Sequence, residues 1–471
     1  MKMQLFLVLV TAVMLGGPPV DANERPNVLF IAVDDLRPEL ACYGRSHIHS
    51  PNIDRLASEG VLFERAYCMV ATCGASRAAL MTSVRPTAQR FVSYTTWAEK
   101  DASDALPLHT HFKNNGYTTI SLGKVLHHKT DHVSGWSEAP WRSNLGGYRD
   151  VEAAAAAQAE NQRKWPQKNR PRPLPFESFD ADDDEYSDGE AAQKTSQYLR
   201  RFAESPDQPF FLAVGFLKPH LPFVAPKKYW DLYDREKIEL PENYRIPTDV
   251  PSDAVHNSGE LRSYAGIHPS QPLDRETAIS LIHGYYACVS FTDAQVGRVL
   301  ETLDETGLSK NTIVVLWGDH GWQLGEHGMW NKHSCFETSM HAPLIVKSPD
   351  ASRFDAGERV TALTEFIDIY PSLCELAGLS TPSHVEGSSF VNVMEDPSRP
   401  GKPFAISRFG KGDTIRTDTM RYAEYTLRDG TFKGAMLFDH RSDPDEDINL
   451  VSKEPEAASR HATQLRANMG R

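Results

Sequence analysis

The 471-residue chain has little that could cross-link it or carry it through a membrane. Its six cysteines, Cys42, Cys68, Cys73, Cys288, Cys335 and Cys374, are too widely scattered for a small disulfide-stapled scaffold. Beyond the first residues no apolar run approaches the length of a membrane span. Positive charge is also in deficit, with 50 Lys and Arg against 63 Asp and Glu and a net charge of -13. That excludes a general nucleic-acid or polyanion-binding surface, which needs a basic face, but leaves room for a local cluster that holds one anion. The acidic run Asp182-Asp183-Asp184-Glu185 lacks the spacing of a calcium-binding EF-hand loop and reads as solvated.

The one strongly apolar stretch is at the start. Lys2, an apolar core over 5–15 and the ending Val20-Asp21-Ala22 give residues 1–22 the form of a cleaved signal peptide. The expectation is export to a periplasm, lumen or medium, with no membrane contact after cleavage. With 40% hydrophobic and 24% charged residues the remainder is globular in character, and its length calls for more than one core. A Pro- and Gly-containing stretch at 396–401 divides a larger unit, 23–395, from a smaller one, 396–471.

Two short β-branched runs, far apart in sequence, read as strands covered on both faces: Asn-Val-Leu-Phe-Ile-Ala-Val at 27–33 and Thr-Ile-Val-Val-Leu-Trp at 312–317. The first ends in Asp34-Asp35 and the second in Gly318-Asp319-His320-Gly321. Adjacent carboxylates at the end of a buried strand are costly without a cation, and α/β sheets build their sites at that edge. Asp34, Asp35, Asp319 and His320 together offer mainly hard oxygen donors, which suit Ca²⁺ or Mg²⁺ over Zn²⁺. Asp34-Asp35 taken alone is equally consistent with a solvated turn.

Cys73 opens a run of small residues that leads into a helix, where free backbone N–H groups favour an anion. A lone Cys before a helix is otherwise an ordinary core residue. A strand over 117–122 delivers Gly123-Lys124-Val125-Leu126-His127, and Lys124 and His127 face one point if the chain turns helically there. A strand over 209–216 delivers Lys218-Pro219-His220, with the prolines stiffening the backbone around His220. The loop from Gly325 carries His327 and Lys332, and with Trp322 is expected to shape a pocket wall. Residues 137–188 read as an irregular surface insertion and 229–272 as a Pro-rich loop at a cleft rim. Helices are expected over 50–57, with Ser50 as cap, and over 189–202 and 277–304. Four short strand-like pieces and a helix over 454–468 close the chain.

Cys73-Gly74-Ala75-Ser76-Arg77 resembles the Cys-x-(Pro/Ala)-x-Arg signature of type I, formylglycine-dependent sulfatases. Ser50-Pro51-Asn52-Ile53-Asp54, the Lys124/His127 string, Lys218-Pro219-His220, Asp319-His320 and Lys332 are similar to further segments of that family in the same order. The likeness is strongest to its iduronate-2-sulfatase branch. It implies an alkaline-phosphatase-like α/β sandwich, a large mixed sheet between helices, plus a small C-terminal antiparallel sheet with a helix. It also implies that a maturation enzyme converts Cys73 to formylglycine, whose hydrate attacks sulfur. Asp34, Asp35, residue 73, Asp319 and His320 would hold Ca²⁺, with Mg²⁺ as the alternative. Arg77, Lys124, His127, His220 and Lys332 would complete the catalytic set, with Arg416 near the cleft. The implied substrate is a sulfated oligo- or polysaccharide, of uronate 2-O-sulfate type or related. Two alternatives stand beside it: a phosphatase or phosphonate hydrolase of the same superfamily, and a non-catalytic sulfoglycan-binding protein.

Overall fold

Alternation along one strand sets the layers. In the computed structural model, which describes residues 25–469, Asn27–Val33 (β1) is fully buried. Leu29, Ile31 and Val33 pack into one core, and Val28, Phe30 and Ala32 into another on the opposite face. A strand with two buried faces needs covering on both sides, and that is what the fold provides. The expected signal peptide, 1–22, lies outside the described residues.

The remaining strands of the central sheet are Val61–Phe63 (β2), Thr118–Gly123 (β3), Phe210–Phe216 (β4), Thr312–Gly318 (β5), Leu344–Lys347 (β6) and Glu358–Val360 (β7). Their spatial order is β7-β2-β6-β5-β1-β4-β3. β1 runs parallel to both β4 and β5, and β3 runs parallel to β4. β6 is antiparallel to β5 and β2, so the sheet is mixed. The parallel centre aligns Val33 with Gly318 and Phe216. The segments that follow these strands, with Asp34-Asp35, Asp319-His320 and Lys218-Pro219-His220, therefore leave the sheet at one edge.

The helices used below are Pro51–Glu59 (α1), Cys73–Thr82 (α2), Val151–Lys164 (α3), Ser187–Ala203 (α4), Arg275–Glu305 (α5) and Pro455–Asn468 (α6). α4 and α5 cover one face of the sheet; α2 and Ile369–Leu376 cover the other. At the chain's end Phe404–Phe409 (β8), Gly412–Thr417 (β9), Met420–Thr426 (β10) and Phe432–Asp439 (β11) form an antiparallel meander. One face of it packs under α6 through Ile406, Ile415, Leu437 and Leu465, and Ala423, Met436 and Phe438 on the other join the main core.

Two local expectations change. The 137–188 insertion is not irregular throughout: its Ala-rich part forms the 14-residue α3, capped by the Asp150 carboxylate, which accepts the Ala153 N–H. Alanine has the best helix propensity, so this segment folds locally while burying little. Ser50 does not cap α1 with its side chain; its hydroxyl accepts the Ala41 N–H and donates to Asp54. Among the described residues no helix is long and apolar enough to cross a membrane. All six cysteines are free.

Candidate active site

Two backbone approaches at the sheet edge require glycine. A Cβ at Gly215 would meet the Lys124 carbonyl at 2.1 Å, and Gly123 adopts a left-handed φ of 68° beside it. This lets the Lys124 N–H bond to Gly215 O at 2.8 Å, which sets Lys124 against the end of β1. Its ammonium then pairs with Asp34 Oδ2.

Arg77 ties the edge together. From the second turn of α2 its Nε donates to Asp319 Oδ2 at 2.8 Å, its Nη2 to Asp34 Oδ1 at 3.1 Å, and its Nη1 to the carbonyls of Lys124 and Val125. Asp34, Asp35, Arg77, Asp319 and His320 are fully buried. Burial raises the Asp34 carboxyl, but Lys124 and Arg77 overcome this and hold it well below the usual carboxylate range. Asp35 goes the other way: burial, with Asp34 and Asp319 close by, pushes it well above that range despite Lys332. Asp35 has a left-handed φ of 59°, its N–H donates to Asp319 Oδ1 at 2.9 Å, and its carboxylate accepts from Lys332 Nζ at 3.0 and 3.1 Å.

Cys73 is the first residue of α2, with Sγ 3.5 Å from His320 Nε2. Burial, then Asp34, push its thiol well above the ordinary value, so the encoded side chain stays protonated near neutral pH. Cys73 lines an open cavity of about 590 Å³ together with Lys124, His127, His220, Glu260 and Lys332. His220 Nδ1 donates to Leu221 O at 2.5 Å, leaving Nε2 3.8 Å from Asp35 Oδ2 and 3.4 Å from Glu260 Oε1. Burial, with Lys332 near His220 and Lys124 near His127, brings both rings down to about 3. Lys332 is buried, its Nζ between Asp35 and Glu260 and 4.9 Å above the Trp322 ring.

Residues 26–379 match the family described as Sulfatase, which is most of the chain. The chain belongs to the sulfatase family. This sulfatase is a sulfuric ester hydrolase, and its residues 325–470 also match the description N-sulphoglucosamine sulphohydrolase, C-terminal. It is 33% identical over 451 residues to a human protein named iduronate 2-sulfatase, covering 84% of this chain and 80% of that one. Its fold is similar to the phosphonate monoester hydrolase of Agrobacterium radiobacter, with a TM-score of 0.75 at 22% identity over 94% of this chain and 96% of that one. It is also similar, with a TM-score of 0.72 at 18% identity, to a protein solved with its substrate D-glucosamine-2-N,6-O-disulfate, over 95% of this chain and 98% of that one.

The sulfatase's buried donors fit a divalent cation. His320 Nδ1 donates to Gly321 O at 2.9 Å, so its Nε2 carries the lone pair. That nitrogen faces Asp35 Oδ1 at 3.4 Å and Asp319 Oδ1 at 3.6 Å, so acceptors converge where only a positive charge satisfies them all. Two sets, Asp34, Asp35, Cys73 and His220, and Cys73, Asp319 and His320, each bring ligand atoms within 4.8 Å of one another.

Other residues fall elsewhere. His327 stacks on Phe336 at 4.0 Å and lines a separate cavity of about 440 Å³, so it does not wall the Cys73 pocket. Arg416 faces Glu337 and His440 rather than the cleft. Glu260, His333, Arg170 and Arg172 line the Cys73 cavity without having been read from sequence. Only His333, beside Lys332, had an adjacent motif to mark it; the rest arrive on the 137–188 and 229–272 segments, whose docking no local pattern encodes.

Proposed function

We propose that this sulfatase removes sulfate from a sulfated oligo- or polysaccharide, of uronate 2-O-sulfate type or related, with residue 73 acting as formylglycine and with Ca²⁺, or Mg²⁺, at the buried carboxylates. The observation that carries the reading is the position of Cys73, at the start of α2 and lining one cavity with two lysines and two histidines. We take 23–395 as the catalytic unit, 396–471 as a smaller subdomain and 1–22 as the export signal.

Sulfate ester cleavage needs attack on sulfur and departure of an alkoxide, and both develop negative charge that preplaced donors must meet. Oxidised to formylglycine by a maturation enzyme and hydrated, residue 73 presents a hydroxyl in place of the thiol. When bound, a divalent cation supplies positive charge against Asp34, Asp35 and Asp319 and favours an anionic nucleophile. Arg77 keeps Asp34 and Asp319 in register for this. Lys124 and Lys332 exchange part of their contact with Asp34 and Asp35 for the sulfate oxygens. His220 hands a proton from Nε2 to the departing sugar oxygen, since its Nδ1 is committed to Leu221 O. His127 removes a proton from residue 73, which releases sulfate and restores the aldehyde; exchange of the two histidine roles is the variant of this scheme.

Sulfate release from sulfated sugars, compared with Cys73→Ala, tests the reading. Release by the matured protein, lost in Cys73→Ala while sugar binding persists, supports it. Binding without turnover in either form favours a sulfoglycan-binding protein, and faster cleavage of phosphonate or phosphate esters favours the phosphonate hydrolase alternative.

A further inference from the structure

Every cation but one that lines the Cys73 cavity is already matched by the protein. Lys124 pairs with Asp34, and Lys332 with Asp35 and Glu260. Arg172 donates from Nη1 to Tyr264 Oη at 2.9 Å, lies over the Tyr264 ring at 5.1 Å and is 3.7 Å from Glu260 Oε1. Arg170 lines the same cavity, is exposed, and has no hydrogen-bond or ion-pair partner among the described residues.

The backbone that carries Arg170 is held on both sides. Lys168 Nζ donates to Asn161 Oδ1, Tyr264 O and Ile267 O, each at 2.9 Å. The Arg172 N–H donates to Ser263 O at 2.9 Å, and Asn161 Nδ2 bridges Arg172 O and Ser263 O at the same distance. Between these anchors Arg170 takes a left-handed φ of 56°, a conformation costly for a residue with a Cβ and retained where the surroundings impose it. A positive group is thus presented to a cleft that has no counter-charge for it. An arginine fork matches a carboxylate or sulfate bidentately.

We propose that Arg170 is a specificity-determining residue that binds a second anionic group of the substrate, a carboxylate or a second sulfate, while Lys124 and Lys332 hold the reacting sulfate. This rests on the sulfatase reading of the same site and goes beyond it in requiring a dianionic sugar.

Calorimetric titration of the Cys73→Ala protein, with and without Arg170→Ala, separates binding from turnover. The probes are glucose monosulfate, a 2-O-sulfated hexuronic acid and a disulfated glucosamine. The expected result is at least a tenfold loss of affinity for one or both dianions, with glucose monosulfate unchanged; Arg170→Lys recovers part of the loss. Loss confined to the hexuronic acid assigns a carboxylate, and loss confined to the disulfated sugar assigns a second sulfate. Equal weakening of all three probes, no change in any, or no binding of either dianion before the substitution overturns the proposal. Sulfate release by the matured wild-type protein, measured alongside, reports on the sulfatase reading separately.

Discussion

Asp293, in the middle of α5, accepts the backbone N–H of Ile53 at 2.7 Å, and its carboxylate also takes the N–H and side-chain amide of Asn52. The long helix thereby caps the short α1, a function that Ser50 at the expected cap position does not perform with its side chain. Loss of a helix cap typically costs about 1–2 kcal/mol, and unpaired buried donors add to it. Asp293→Ala is therefore expected to lower the urea midpoint with little change in slope, and Asp293→Asn to lower it less. An unchanged midpoint in Asp293→Ala would remove this link between α5 and α1.

Arg77 carries a heavier load. It is the only cation bonded to both Asp34 and Asp319 among the described residues. Breaking a buried ion pair from one side typically costs about 3–5 kcal/mol, because the stranded charge stays buried. Arg77→Ala should lose stability on that scale and all measurable sulfate release. Arg77→Lys should stay inactive, since an ammonium cannot reach both carboxylates and the Lys124 and Val125 carbonyls together. Thermal denaturation and a sulfate-release assay check both.

A pH effect follows from Glu39, which lies away from the Cys73 cavity. Burial raises its carboxyl, but Arg37, His47 and Arg45 outweigh this and bring it from an ordinary 4.5 to about 2. A carboxyl depressed in the folded state adds stability that is complete above the unfolded value and lost as pH falls through the folded one. The stabilisation from Glu39 is thus expected in full above pH 4.5 and to decline between 4.5 and about 2. Glu39→Gln should be less stable at pH 7 and show a flatter acid decline, read from denaturation midpoints across pH.

The converging acceptors around His320 Nε2 predict that cation removal is felt in stability as well as activity. Treatment with a chelator should lower the melting temperature, and titrating Ca²⁺ or Mg²⁺ back should restore it and identify the preferred ion. Asp319→Asn should weaken that titration. A melting temperature indifferent to chelation and to both ions would contradict a cation at these carboxylates.

The strands were legible because burial on both faces leaves a plain signature: continuous β-branched runs at 27–33 and 312–317 that end in polar residues. The meeting of Asp34, Asp35, Asp319 and His320 follows from the parallel pairing of those two strands, which places their ends at one edge. Cys73 and Arg77 share a helix, so their spacing in sequence carries over into space. Glu260 had no such signal, because it reaches Lys332 and His220 only through the docking of a long loop. Arg170 was hidden for the same reason. His327 misled because a loop shared with Lys332 does not share its direction, and α3 was missed because an Ala run with few apolar anchors shows no amphipathic period.

The most direct test is the mass of the tryptic peptide 66–77 after alkylation, from protein made in a host shown to convert a control sulfatase. This peptide contains Cys68 as well as Cys73, so it carries its own reference thiol. One alkylated cysteine and an aldehyde or its hydrate at position 73 is the predicted result. Two alkylated cysteines would contradict formylglycine at the centre of this site.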